Sequence, residues 1–231
     1  CSLTIARPPR VVSLNDTNYT ALKTELAKSS RIESITVVSH IPAAGYSFGS
    51  DYKRNLDEKD WTDVNYYSVD EDYLSNMELS LKAGRFFNAE HGASNKNFIV
   101  INEATVEKFL FKSAEAALGQ ELYHREDSSR KVIIGVVKNY NHEMLMEKLT
   151  PMALIYNPDE FRMMQVKYNG TFEQAGAEVE VAWTRVNPSL KVDYKDFNAE
   201  VHKIYDIFFG DLMSLLSVIA VLAILISCLG L

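Results

Sequence analysis

Cysteine is nearly missing from this chain of 231 residues: Cys1 opens it and Cys228 lies in an apolar run near the end. With no CxxC pair, a disulfide framework and a cysteine zinc site are both excluded, so the fold rests on its apolar core. Lysine and arginine form no run longer than Lys53-Arg54 or Arg130-Lys131, and the formal net charge is −7. A nucleic-acid binder needs a clustered basic face, so nucleic acid is not an expected partner. Glycine is sparse; Gly119, Gly135 and Gly170 stand alone. That leaves no glycine-rich phosphate cradle, and no G-x-x-x-x-G-K-[ST] pattern occurs, so the chain binds no ATP of its own. Internal repeats and low-complexity segments are absent as well.

The last absence is local. Residues 212–231, "LMSLLSVIAVLAILISCLGL", carry no charge, and Asp211 is the final charged residue. Twenty helical residues rise about 30 Å, the hydrocarbon thickness of a bilayer. The polar side chains in the run, Ser214, Ser217, Ser227 and Cys228, are small enough for lipid. This predicts a transmembrane helix over residues 207–231, cut off at the end of the chain. Its embedded residues would be Leu212, Leu215, Leu216, Val218, Ile219, Val221, Leu222, Ile224, Leu225, Ile226 and Leu229. Phe197, Val201, Ile204, Tyr205 and Phe208 make an apolar stripe just before it, so the helix begins in the domain, capped by Asn198 or Asp196. Tyr205, Phe208 and Phe209 would mark the membrane interface. The chain reads as a piece of a larger membrane protein.

What precedes the tail has ordinary globular composition, 47% hydrophobic and 24% charged, far from a disordered profile. Residues 11–14 and 34–39 read as strands around a helix capped by Thr17, with Tyr19, Leu22 and Leu26 on one face. Residues 40–60 read as a polar loop. Strands follow at 64–69, 78–87, 97–101, 131–140, 152–157, 163–169 and near 190–194. Helices are expected at 70–77, after a cap at Asn102, and over 171–186. The run at 131–140 is nearly all apolar, which marks a strand buried on both faces. The class is α+β with mixed sheets in two subdomains.

Two short motifs invite chemistry. Gly45-Tyr46-Ser47-Phe48-Gly49 fits G-x-S-x-G, the nucleophile elbow of α/β-hydrolases. An elbow needs a strand running into the first glycine and a helix leaving the serine. Here His40-Ile41-Pro42-Ala43-Ala44 intervenes before it, and no amphipathic helix follows. The loop is read instead as exposed, with Tyr46, Ser47 and Phe48 as partner-contact candidates. "HEMLM" at 142–146 begins like a zincin helix but has Met146 where the second histidine must stand. His142 and Glu143 are read as a solvated turn. No catalytic, cofactor or metal residue is assigned, and the chain is not expected to be an enzyme.

Several phrases occur in one order: Ala83-Gly84-Arg85-Phe86-Phe87, then Ile101-Asn102-Glu103, then Ile134-Gly135-Val136-Val137-Lys138-Asn139-Tyr140, then the terminal Leu229-Gly230-Leu231. Across almost its whole length the chain resembles the extracytoplasmic domain of MacB/FtsX-type ABC-transporter permeases, especially the large permeases common in Bacteroidetes. Family members often have Asp where this chain has Asn139. The resemblance implies a periplasmic domain on the bacterial inner membrane, occupying residues 1–206. Its porter-like subdomain would cover about 1–84 and 148–196, with an inserted subdomain at about 85–147. The implied partners are a cytoplasmic ABC ATPase, which binds the ATP, and a second permease half or a second copy. The implied role is non-catalytic coupling of ATP-driven motion to export or release of a substrate. The alternative is a sensor or binding module anchored by a single helix.

A chain truncated after Gly210 is expected to stay monomeric without detergent, while the full chain requires it. Size-exclusion chromatography in both conditions checks this, and the reverse pattern would make the tail a core helix.

Overall fold

β-branched runs alternating with capped amphipathic segments build two sheets from one chain. The computed structural model describes residues 9–14, 17–42, 48–140 and 149–229. The first sheet holds β1 (Arg10–Ser13), β2 (Ile32–Val38), β10 (Met163–Tyr168) and β11 (Tyr194–Asp196), in the order β11-β1-β10-β2 with every pair antiparallel. Between β1 and β2 runs α1 (Tyr19–Leu26); between β10 and β11 runs α5 (Phe172–Val186). In each unit the two strands are parallel and held apart by a strand of the other. That is the double split β-α-β of ferredoxin-like folds.

Local chemistry sets these boundaries. Asn18, not Thr17, caps α1: its side chain accepts from the Ala21 amide at 3.0 Å, while Thr17 is buried. Thr171 and Gln174 close a capping box on α5. Leu22 and Leu26 from α1 meet Val179 and Trp183 from α5 over Val12, Val37, Met164 and Val166 of the sheet. The Trp183 indole donates to the Leu190 carbonyl at 2.8 Å, so the largest side chain of this core leaves no unpaired polar atom.

Between β2 and β10 the chain builds the second sheet. Its strands are β3 (Phe48–Lys53), β4 (Thr62–Ser68), β5 (Leu81–Gly84), β6 (Phe98–Asn102), β7 (Glu121–His124), β8 (Arg130–Val137) and β9 (Met152–Ile155). The short helices α2 (Tyr73–Asn76), α3 (Glu103–Lys108) and α4 (Ala114–Ala117) lie in its connections. The order is β5-β8-β6-β9-β4-β3-β7, and β7 also pairs with β8. That last pairing closes β8, β6, β9, β4, β3 and β7 into a ring. Tyr52, Val64, Ile99, Leu122, Ile133 and Ala153, one from each ring strand, share a single buried cluster. Val106 of α3, Phe109 just after it and Ala117 of α4 join the same cluster and plug one end of the ring.

The sheets divide the chain elsewhere than the expected boundaries near 84 and 148. β3, β4 and β9 hydrogen-bond within the ring, so the insertion into the ferredoxin-like unit runs from the end of β2 to the start of β10. Part of the stretch read as a loop at 40–60 is the strand β3, whose Tyr52 is buried. Its charged neighbours masked the period-two pattern.

The two sheets are tied to each other. Val38 bridges Val69, the Ser39 amide donates to the Ser68 carbonyl at 2.9 Å, and the Asp70 amide donates to Val37. Beside this seam Lys23 of α1 reaches Asp70 at 2.7 Å and also meets Asp72. Asp70 is 3% exposed and takes a further hydrogen bond from Thr36. Burial pushes the Asp70 carboxyl up to about 6, against the pull of Lys23 and Thr36. Burial works against the Lys23 charge too, but Asp70 and Asp72 outweigh it and hold the amine above the usual lysine range.

At the C-terminus α6 (Phe197–Leu229) is one helix of 33 residues. Asp196 caps it by accepting from the Ala199 amide at 2.9 Å. Phe197 and Val201 pack on Val11 and Ile41; the side chains of Ile204, Tyr205 and Phe208 lie outside the described residues. Among the described residues no helix is long and apolar enough to cross a membrane, where a span over 207–231 was expected. In the charge-free run the longest unbroken set of described side chains is residues 214–224, which rises only about 16 Å. Leu215, Leu216, Val218, Ile219, Val221, Leu222, Ile224 and Ile226 are exposed. The side chains of Leu212, Leu225 and Leu229 are not among those described.

Replacing Lys23 with Met leaves Asp70 buried without its cation, which should cost about 3 kcal/mol at pH 8. The folded chain holds the Asp70 proton to higher pH than the unfolded chain, so lowering the pH from 8 to 5 relieves that penalty. Urea titrations of Lys23→Met and wild type at both pH values check this; a deficit that stays constant would exclude Asp70 as its source.

Candidate functional site

A glycine pair lets the phrases singled out in sequence meet. Gly84 of β5 faces Gly135 of β8. A Cβ on Gly84, which has φ +77°, would sit 2.3 Å from the Ile134 carbonyl oxygen, and one on Gly135 would sit 2.2 Å from that of Arg85. Only glycine permits this approach. Asn102, fully buried, caps α3 by accepting from the Thr105 amide at 2.9 Å, accepts from the Met152 amide, and donates to the Thr150 carbonyl. One residue on, the Glu103 carboxylate accepts from the Asn139 amide at 3.0 Å, while Asn139 Oδ1 accepts from the Ala104 amide at 3.0 Å. The Asn139 amide holds the Glu103 carboxyl below its ordinary range, aided by Lys82. Asp at 139 would offer Ala104 the same acceptor. These motifs are therefore the joints at the plugged end of the ring.

Among the described residues the other end of the ring is open. There Ser50, Tyr52, Tyr66, His124, Lys131 and Ile155 line a cavity of about 260 Å³, with Lys96, Glu126, Asp127, Tyr156, Asn157 and Glu160 around it. Register explains the convergence. Tyr52 pairs with His124, Ser50 with Val64 and Tyr66 with Ala153, so these side chains share the inner face with the apolar cluster. Ser50 Oγ lies 2.6 Å from His124 Nε2, and His124 Nδ1 lies 2.6 Å from Asp127 Oδ1. A carboxylate only accepts, so Nδ1 carries a proton toward Asp127, which leaves Nε2 as the nitrogen that meets the Ser50 hydroxyl. Burial works to raise the Asp127 carboxyl, but hydrogen bonds from Ser129 and His124 outweigh it and hold the group well below the usual range. The Ser129 amide bond to Asp127 is 2.9 Å. Burial lowers the Lys131 amine, which donates to the Lys96 carbonyl at 2.7 Å.

The residues nominated from sequence fall differently. Tyr46 and Ser47 lie outside the described residues, as do His142, Glu143 and Met146. Phe48 opens β3 half-exposed, with its ring 4.7 Å from that of His40 and 6.0 Å from that of Tyr66. Sequence reasoning missed Ser50, His124 and Asp127. Serine and histidine are 74 positions apart, and only β3–β7 pairing, which no local pattern announces, brings them together. Among the described residues no group of three or more His, Cys, Asp or Glu could hold a metal ion.

The model of the MacB-like periplasmic core domain matches residues 3–199. The chain belongs to this family. A search of the curated proteins finds no match. Among solved structures the MacB-like periplasmic core domain is similar to the periplasmic region of MacB from Actinobacillus actinomycetemcomitans, with TM-score 0.60 and 15% identity, over 87% of this chain and 93% of that one. It is also similar to the extracellular domain of the ABC-type transporter YknZ from Gram-positive bacteria, with TM-score 0.55 and 13% identity, over 82% of this chain and 98% of that one. At such identities the likeness speaks for the mixed α+β fold.

Asn139→Ala removes the acceptor for Ala104 and should lower stability by about 1–2 kcal/mol. Asn139→Asp keeps the oxygen and should cost less. Urea denaturation of both variants checks the order, and an equal loss in both would contradict the joint described here.

Proposed function

We propose that this MacB-like periplasmic core domain belongs to an ABC-transporter permease subunit of the bacterial inner membrane. In that subunit it couples ATP-driven motion to export or release of a substrate. The single observation that carries the reading is the family match over residues 3–199. Three features support the mechanical part. α6 is continuous for 33 residues, about 50 Å. Its first turns are docked on Val11 and Ile41 of the domain. Its distal half bears the charge-free run, which suits entry into lipid. A stiff helix fixed at one end transmits tilt to the other. The partners in this reading are a cytoplasmic ABC ATPase, which supplies ATP binding, and a second permease half or copy. Coupling of this kind asks for no bond-making step in this chain.

Inserting Gly-Gly-Ser after Gly210 in the complete permease, assembled with its ATPase in vesicles, breaks the helix between domain and membrane. Transport is expected to fall at least tenfold while ATP hydrolysis continues. Transport that is unchanged would overturn the lever.

A further inference from the structure

We propose that Ser50 is a nucleophile and that the open end of the ring is an esterase site for short acyl esters, an activity separate from the coupling role. The basis is geometric. A triad is recognised by the order of its contacts rather than by sequence position. Here the order is complete: Ser50 Oγ on His124 Nε2 at 2.6 Å, and His124 Nδ1 on Asp127 Oδ1 at 2.6 Å. Both lengths fall at the short end of ordinary hydrogen bonds. Ser50 is buried, its side chain meets both His124 and Tyr52, and it lines the cavity together with His124. A purely structural Ser-His-Asp chain has no need of such a space.

The reaction balances with the groups present. Oγ bonds to the acyl carbon as His124 Nε2 takes its proton. The tetrahedral intermediate expels the alcohol, which takes that proton from His124. Water then attacks acyl-Ser50, His124 accepts the water proton and returns it to Oγ, and the carboxylic acid leaves. Ester and water become acid and alcohol, with no other reactant. Lys131 lines the same cavity and has donors beyond the one given to the Lys96 carbonyl, so the proposal gives it the role of meeting the oxyanion. Asp127 is a positioning residue: it fixes the ring tautomer.

A cavity of about 260 Å³ is smaller than the usual ligand site and leaves room only for a short acyl group. Tyr66, Ile155 and Tyr156 give that group apolar walls.

The test uses the full chain in detergent micelles with a fluorophosphonate reporter and p-nitrophenyl acetate. A phosphonyl adduct on Ser50, located by peptide mass spectrometry of the wild type, is the expected result. Ser50→Ala should lose the label. His124→Gln should slow labelling at least tenfold, and Asp127→Asn should lower kcat for the ester by about 100-fold or more with KM little changed. Circular dichroism confirms that each variant is folded. If a variant fails to fold, the wild-type adduct map decides alone. No adduct on Ser50 in the folded wild type, or equal labelling in folded His124→Gln, overturns the proposal. The coupling role is read from transport in Ser50→Ala and stands or falls separately.

Discussion

The fold depends on one strand serving two partners along a single edge. β8 gives its first half to β7 and its second half to β5, while its other edge is filled by β6. Without the β7–β8 pairing the sheet would be open, with unpaired backbone groups on β7 and β8. With it, six strands share one interior, and that interior is apolar at one end and polar at the other. The divided edge needs the second partner to come close, which is why Gly84 and Gly135 face each other there.

The ring and the ferredoxin-like unit are held by a different kind of contact. Lys23 on α1 and Asp70 beside β4 form a nearly buried ion pair across the seam. A pair of this sort is a weak source of net stability, but removing either partner is costly because it leaves the other charge without its counter-ion. Aromatic edges extend the contact: Tyr19 meets Phe161, Phe161 meets Tyr156, and Tyr156 meets Phe87. Met163 packs both against the Val11–Ile41–Phe197 cluster under α6 and against the cluster that holds Val38, Tyr67 and Phe87.

Much of this was legible in the chain. The strands at β1, β2, β4, β6, β8 and β10 announced themselves through β-branched runs, and α5 through its helical spacing. Asn102 was readable as a cap. The family phrases were readable too, though not their purpose: the glycine in Ala83-Gly84-Arg85 explains itself only once Gly135 stands opposite. β3 was hidden because Asp51, Lys53 and Arg54 interrupt its apolar alternation. The Ser50–His124–Asp127 contact could not be seen, because its geometry is a product of pairing between distant strands. The G-x-S-x-G match falls on Ser47, three residues before Ser50, which meets His124.

The placement of the ring has a further consequence. Val38, the last residue of β2, pairs with Met163, the first of β10, although 125 positions separate them. The whole ring therefore leaves and re-enters the smaller sheet between adjacent strands, like a bead clipped into a closed chain. Its entry and exit ask nothing of the rest of that sheet. Loop-closure entropy also rises only slowly with length. The ferredoxin-like unit can thus host an insertion of another length at this point without changing its own strand order, provided the seam contacts at Val69 and Asp70 are kept.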